Sequence, residues 1–511
     1  MTDFANLAPL QPLIDACVHC GFCLPTCPSY LMLGHEMDSP RGRVYLMNAG
    51  VDARVAMSPT VVQHFDTCLG CMACETACPS GVRYAPLIEA TRAAIEHHHT
   101  RSVADRLFRG LLFRVLPYPS RLRMLAWPLG LLNVIKKRQR LRPYRGPQRG
   151  TRAGVAYRAA AAQSRGEVSA SVRAGSLEPL RGAKAPSNSG GGVPAAVSHG
   201  GAPAPVRQSQ RLRPARAGKF LHLGRIRNLL ALAPDVGRSR VNDLGERTPA
   251  QGVARRRVGL LTGCVQRVFF GDVNQATART LAMEGCDVIS PAEQGCCGAL
   301  ALHAGRDEEA RRFARRLIET FERAEVDEIV VNAAGCGSAM KEYDSLLRDE
   351  PLWAERAKRF AGKVRDLSET IAGLETPRAI RHPLPLRVAY HDACHLAHAQ
   401  RIRREPRAIL EAIPGVTLVP IGESDICCGS AGIFNLIQPE LAAELGQRKV
   451  ERIAESGADV VVTSNPGCIV QIAAAARRQG RALPILHFVE LLDASLRGVS
   501  AEAIVSRDYR L

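Results

Sequence analysis

The chain has 511 residues, 46% hydrophobic and 23% charged, with a formal net charge of +19 and 17 cysteines. That length accommodates three ordinary domains, and the composition supports a buried core, which excludes a chain disordered throughout. No uncharged apolar run is long enough to span a membrane and no apolar leader opens the chain, so the cysteines are expected to serve as thiols in a reducing, cytoplasmic setting.

The first hundred residues carry C-x2-C-x2-C-x3-C-P twice: Cys17, Cys20, Cys23 and Cys27 precede Pro28, and Cys68, Cys71, Cys74 and Cys78 precede Pro79. In this spacing three close thiolates take three irons of a [4Fe–4S] cube, and the fourth, set off before Pro, ligates the other cube. One cluster is therefore expected on Cys17, Cys20, Cys23 and Cys78, and a second on Cys68, Cys71, Cys74 and Cys27. Zinc competes for paired C-x2-C motifs, but it has no use for a third Cys three residues on. Between the motifs, Arg41–Ala49 and Pro59–Phe65 read as helical. Residues 1–100 are thus expected to form a mainly α-helical, two-cluster ferredoxin-type domain.

Residues 101–137 interleave Leu, Phe and Trp with Arg and are broken at Pro117, Pro119 and Pro128. They read as a basic amphipathic helical connector, packed on the cluster domain in preference to lying on a surface. Residues 138–256 turn to Ala, Gly, Pro, Ser and Arg, with Tyr144, Tyr157 and Phe220 as their aromatic residues. Lys136 to Arg257 hold 26 basic against 5 acidic residues, which leaves the rest of the chain slightly acidic. Such a segment buries too little apolar surface to offset chain entropy, so a mostly disordered linker is expected. A sharper role for it is contact with anionic lipid or an acidic partner. Its charges are not interleaved with aromatics and avoid the cysteine modules, which leaves a zinc-dependent nucleic-acid-binding protein as a distant alternative.

Residues 257–380 and 385–500 read as two copies of one domain. Arg257-Val-Gly-Leu-Leu-Thr-Gly-Cys264 matches Arg387-Val-Ala-Tyr-His-Asp-Ala-Cys394, Gln294-Gly-Cys296-Cys297-Gly298 matches Asp425-Ile-Cys427-Cys428-Gly429, and the strand ending at Gly335-Cys336 matches the one ending at Gly467-Cys468. Short apolar strands alternate with helical stretches such as Glu308–Ala324 and Pro439–Glu455, which predicts a parallel α/β sheet with the cysteines just past the strand ends. Each copy gathers four thiols, Cys264, Cys296, Cys297 and Cys336, then Cys394, Cys427, Cys428 and Cys468. They are candidate further cluster sites, because buried cysteines used merely as small apolar residues would not recur at the same four positions. Gly298 and Gly429 are expected to let the backbone approach a cluster. Cys286 has no counterpart and reads as core. His19, His303, His391, His395 and His398 lie near these positions; with four thiols already available, hydrogen-bonding or partner-contact roles are expected, with His395 and His398 best placed to tune a cluster. No dinucleotide fingerprint, P-loop or nucleophile elbow occurs, so no flavin and no catalytic residue are expected on this chain.

At these residues the chain resembles the iron–sulfur subunit of bacterial glycolate oxidase (glycolate dehydrogenase). The resemblance rests on both ferredoxin motifs, on Ser39-Pro-Arg-Gly-Arg43, and on Leu-Leu-Thr-Gly-Cys264-Val-Gln, Gly295-Cys-Cys-Gly-Ala-Leu300, Gly335-Cys-Gly-Ser-Ala-Met-Lys-Glu-Tyr343 and Ile426-Cys-Cys-Gly-Ser-Ala-Gly432 in order. The repeats look like the cysteine-rich CCG domains shared with heterodisulfide reductases, L-lactate-oxidising subunits and the third subunit of anaerobic glycerol-3-phosphate dehydrogenase. The resemblance implies two [4Fe–4S] clusters on the eight N-terminal cysteines. It also implies two flavoprotein-type partner subunits that oxidise glycolate to glyoxylate, and transfer of the electrons towards quinone or another membrane acceptor at the inner face of the plasma membrane. L-lactate or glycerol-3-phosphate are the alternative donors. Where the heterodisulfide reductase pattern ends each repeat in C-x-x-C, this chain has Ala339 and Gln471, which argues against a five-thiolate cluster.

Overall fold

The structure, a computed structural model, describes residues 3–125, 232, 244–374 and 376–506. The expectations of disorder and lipid contact for the basic linker therefore fall, for the most part, outside the described residues.

In the N-terminal module the C-P endings are helix starts. Cys27 is extended (φ −87°, ψ 113°) and Pro28 opens the helix Pro28–Leu33; its fixed φ and missing N–H suit the first helical position. The same device recurs at Pro40–Val51 and Pro59–Asp66, which contain the two predicted helices. There Ser39 accepts a hydrogen bond from the Gly42 N–H (3.0 Å) and Ser58 from the Val61 N–H (3.4 Å). Together with Tyr84–His98 these helices enclose a core of Leu7, Met47, Phe65, Leu87, Ile88 and Ile95, each side chain contributing roughly 1.5–3 kcal/mol of apolar burial. Only glycine fits at 42, since a Cβ there would collide with the Glu36 carbonyl.

The connector forms the helix Val103–Val115, capped by Ser102. Its Arg109, with Arg101 just before it, reaches Asp66 and Glu96 of the cluster module. Its Leu112 and Phe113 pack with Ile433, Leu436 and Ala474 of the second repeat. The helix packs on the cluster module and also on the second repeat, so its apolar face is divided between two neighbours, while Val103, Leu107 and Leu111 stay exposed.

Both repeats are α/β, as their strand–helix alternation predicts. Strands β1 (Arg247–Thr248), β2 (Arg256–Leu260), β3 (Cys286–Ile289), β4 (Glu328–Val331) and β5 (Val364–Asp366) form a sheet of order β1-β3-β2-β4-β5. Strands β6 (Arg387–His391), β7 (Thr417–Val419), β8 (Val460–Thr463) and β9 (Ile485–His487) form a second, ordered β7-β6-β8-β9. Without β1 the two orders are the same, and every pairing except β1–β3 is parallel. Strand β1 lies near the C-terminal end of the range read as a mostly disordered linker and adds an antiparallel edge to the first sheet. The repeats also share one core: Leu260, Phe270 and Leu281 belong to the same buried cluster as Val388, Phe488 and Leu492. Arg279 bridges to Asp493 across it (2.9 Å). Cys286 lies fully buried on β3 in that core.

Candidate metal centres

The two ferredoxin motifs turn the chain in the same way. His19 and Gly21 in the first, and Gly70 and Met72 in the second, have φ between 53° and 90°, and these left-handed turns converge three thiols on one side of each loop. Burial raises the pKa of Cys17, and the charges of Cys78 and Cys20 add to it. Burial pushes Cys23 to about 11, with Cys27 and Cys17 adding to the shift. Cys74 is pushed well up by burial, with Cys71, Cys68 and Cys27 as its charged neighbours. Cys78 thus lies near Cys17, and Cys27 lies between the motifs, near Cys23 of its own and beside Cys68, Cys71 and Cys74 of the second.

Charge compensation is concentrated on the second motif. Burial alone would raise Cys68, but Arg43 and Arg92 outweigh it and hold the thiol below its ordinary range. The Gly70 N–H also donates to Cys68 Sγ (3.4 Å). Arg43, from the Ser39-Pro-Arg-Gly-Arg43 run, is buried and donates to the His64 carbonyl (2.6 Å), Ser29 Oγ (3.0 Å) and Thr67 Oγ1 (3.0 Å). A buried guanidinium so fully bonded is a fixed positive charge facing thiolates.

In each repeat the four cysteines meet in a chain of thiol contacts: Cys264 with Cys296, Cys296 with Cys297, and Cys297 with Cys336. The second runs Cys394–Cys427–Cys428–Cys468. Hydrogen bonds from Cys296 and Cys336 hold the Cys297 thiol well below its ordinary range. The paired cysteines are followed by glycines in the left-handed region, Gly298 (φ 78°) and Gly429 (φ 89°), whose N–H groups donate to Cys296 and Cys427 Sγ at 3.4 Å. These glycines are required by φ and by the helix behind them. A Cβ at 429 would lie 2.8 Å from the Ala442 carbonyl oxygen, and one at 298 would lie 3.1 Å from that of Ala310. Ala339 is buried, and Gln471 donates to the Ala442 carbonyl (2.7 Å), so both C-x-x-C partner positions serve packing.

The sets are close neighbours. Cys71 is raised by burial and then by the charge of Cys394. Leu69, Cys71 and Ala73 pack with Ile426, Cys427 and Phe434 in one apolar cluster. All eight repeat thiols line a single cavity of about 330 Å³, whose opposite wall is apolar, built from Leu111, Leu112, Val115, Leu116, Phe269 and Phe270. Exposure is greatest in the first motif, where Cys20 is exposed and flanked by exposed Val18 and Phe22; in the second motif and the repeats every thiol is buried or half-buried.

The histidines divide. His398 bonds Thr76 Oγ1 of the cluster module (2.7 Å) and the Asp425 carbonyl (3.4 Å). His395 Nδ1 lies 3.5 Å from Cys394 Sγ, and its ring is 5.0 Å from that of His303, which pairs with Glu89 (3.3 Å). These agree with hydrogen-bonding roles. His391 departs from that expectation, because neither ring nitrogen has a hydrogen-bond partner. Sequence reasoning placed Arg43 only within a family motif, with no role at a thiol, and gave His391 a hydrogen-bonding or partner-contact role in preference to a ligand one. The signal for His391 was its alignment with Leu261 in the first repeat.

Iron–sulfur clusters need grouped thiolates, donors to sulfur and compensating charge, and these residues supply all three. The cysteine-rich domain family matches residues 258–341 and 388–473, and the 4Fe-4S dicluster domain family matches 13–82. The chain is 31% identical over 484 residues to the probable glycolate oxidase iron-sulfur subunit of Bacillus subtilis, covering 93% of this chain and 92% of that one. It is 30% identical over 501 residues to the glycolate oxidase iron-sulfur subunit of Escherichia coli, covering 97% of each. Lactate utilization protein A of an Exiguobacterium species is 32% identical over 240 residues, which is 47% of this chain and 98% of that one. The chain belongs to the family of 4Fe-4S dicluster proteins with duplicated CCG domains that includes the glycolate oxidase and lactate-utilization iron–sulfur subunits.

Proposed function

We propose that this chain is the electron-transfer subunit of a membrane-associated glycolate dehydrogenase, drawing electrons from two flavoprotein-type subunits and passing them towards quinone. The observation that carries the reading is the uninterrupted succession of thiol sets, from exposed Cys20 through Cys71 and Cys394 to the cavity shared by the repeats. Two [4Fe–4S] clusters would be held by Cys17, Cys20, Cys23 and Cys78 and by Cys68, Cys71, Cys74 and Cys27, and further iron–sulfur by the repeat thiols. When bound, such clusters supply one-electron carriers with potentials set by hydrogen bonds, charge and exposure. The residues of the chain provide that tuning: Arg43 and the Gly70 N–H at Cys68, and the Gly298 and Gly429 N–H groups in the repeats.

The apolar wall of the cavity suits a lipophilic acceptor, and exposed Val103, Leu107 and Leu111 on the adjoining helix suit peripheral contact with a membrane face. No helix among the described residues is long and apolar enough to cross a membrane. The test is quinone reduction by the chain assembled with its flavoprotein partners. Glycolate-driven reduction, absent from the isolated chain, is expected. Turnover with L-lactate in place of glycolate would move the chain to the lactate branch of the family, and activity of the chain alone would overturn the subunit reading.

A further inference from the structure

The second repeat contains a donor set that the first does not. A ring nitrogen of His391 and the sulfurs of Cys428 and Cys468 lie within 4.8 Å of one another, and all three residues are buried. It is the one such grouping of three metal-binding side chains among the described residues. A single tetrahedral metal with bonds of about 2.0 Å to nitrogen and 2.3 Å to sulfur holds its ligands roughly 3.5–4 Å apart. The grouping is therefore near the size that one metal ion draws together.

The second observation is independent of that distance. His391 is 1% exposed, and neither Nδ1 nor Nε2 has a hydrogen-bond partner. His303 and His395 each leave one buried ring nitrogen, Nε2, without a partner, whereas His391 leaves both. His487 bonds the Asn332 carbonyl through Nε2 (2.8 Å) and accepts the Val489 N–H through Nδ1 (3.2 Å). An orphaned buried donor and acceptor is costly and uncommon in a folded chain. The backbone explains why this ring points at the thiols. His391 ends β6 in register with Thr463 at the end of β8, and the helix after β8, Pro466–Arg478, carries Cys468 in its first turn. Leu261 occupies the equivalent position of the first repeat and offers no donor.

We infer that His391 supplies a nitrogen ligand to the metal centre of the second repeat, beside Cys428 and Cys468, so that one repeat holds an all-thiolate centre and the other a mixed one. The inference rests on the reading that the repeats hold metal. In such a centre His391 takes the place of one of the other two thiolates of the repeat, Cys394 or Cys427; putting a neutral imidazole where a thiolate would be removes negative charge, and in iron–sulfur sites that change raises the reduction potential. The second repeat would then be the stronger electron acceptor of the two.

The experiment is pulsed EPR on the full-length chain, purified and iron-reconstituted without oxygen, poised across oxidised and reduced states, with natural-abundance and 15N-labelled histidine compared. Expected is a strong coupling from a directly bound nitrogen that changes with the label and vanishes in His391→Leu and His391→Cys. The Cys variant should keep the iron that the Leu variant releases. Unchanged signals from the N-terminal clusters in both variants guard against misfolding as the cause. Iron clearly above the content of two cubes, with no histidine nitrogen coupling at any potential, would overturn the ligand while leaving the repeats as metal sites. Iron at the content of two cubes and no more would remove both the ligand and the reading beneath it.

Discussion

The two repeats share strand order, four cysteine positions and a left-handed glycine after the paired cysteines, yet their surroundings differ at each step. After Cys264 the chain makes the short α-helix Val265–Phe269, whereas after Cys394 it makes a π-helical turn, His395–Ala399, a distortion common at functional sites. Cys394 and Cys427 abut Cys71 of the cluster module, while the first repeat meets that module through His303 and Glu89. The strand before the last helix of each repeat ends in a capping box, formed by Asp366 in the first and His487 in the second. The duplication has preserved the backbone that gathers thiols and varied the groups around them. On the proposal that both repeats hold metal, the two copies of one site would stand at different potentials.

The largest test of this comparison interrupts the route before it divides. Cys71→Ser should remove one cluster, about four irons per chain, with its EPR signal, and stop reduction of the repeats; unchanged iron would break the assignment. Arg43→Met leaves Asp38 and two cysteines without their buried cation and should cost about 3–5 kcal/mol in chemical denaturation. The potential of the cluster at Cys68 should fall as well.

The glycine pair sharpens the contrast between repeats. Gly429→Ala should destabilise by about 3 kcal/mol and Gly298→Ala by about 2 kcal/mol, since both pay for φ and the first meets the closer carbonyl. Equal losses would mean that the helices behind them yield alike.

The caps predict opposite responses to acid. Burial pushes His487 down to about 4 and Asp366 up to about 6. His487 binds its proton more readily unfolded, so its contribution is present above about pH 6.5 and is lost as pH falls towards 4. Asp366 binds its proton more readily folded, so its contribution is present below about pH 4 and is lost as pH rises through 6. Each swing is about 3 kcal/mol from the size of the shift. His487→Asn should therefore flatten the loss of stability on acidification, and Asp366→Asn should steepen it, read as denaturation midpoints between pH 4 and 7. The smallest expected effect is from deleting residues 150–216, which should leave iron content and melting temperature nearly unchanged.

Much of this was legible in the sequence because it is local. The C-x2-C-x2-C-x3-C-P runs, the repeat offsets, and the helices found at Pro40–Val51, Pro59–Asp66, Asp307–Arg323 and Pro439–Glu455 follow from spacing and periodicity. What escaped depends on distant partners. Strand β1 gains its hydrogen bonds only from β3, 40 residues on in register. His391 becomes a candidate ligand only because β6 lies beside β8. Arg43 stands in the sequence only as the end of the Ser39-Pro-Arg-Gly-Arg43 run, and its role at the thiols comes from Ser29, His64 and Thr67 closing around it.

The exposure of Cys20, the one exposed thiol among the described residues, has a consequence for survival in air. Dioxygen and peroxide meet Cys20 first, so oxidative damage should begin in the first motif, and in the electron route proposed above it would cut the path at its start. A repair or reloading system would need access to that one rim of the molecule to restore the whole route.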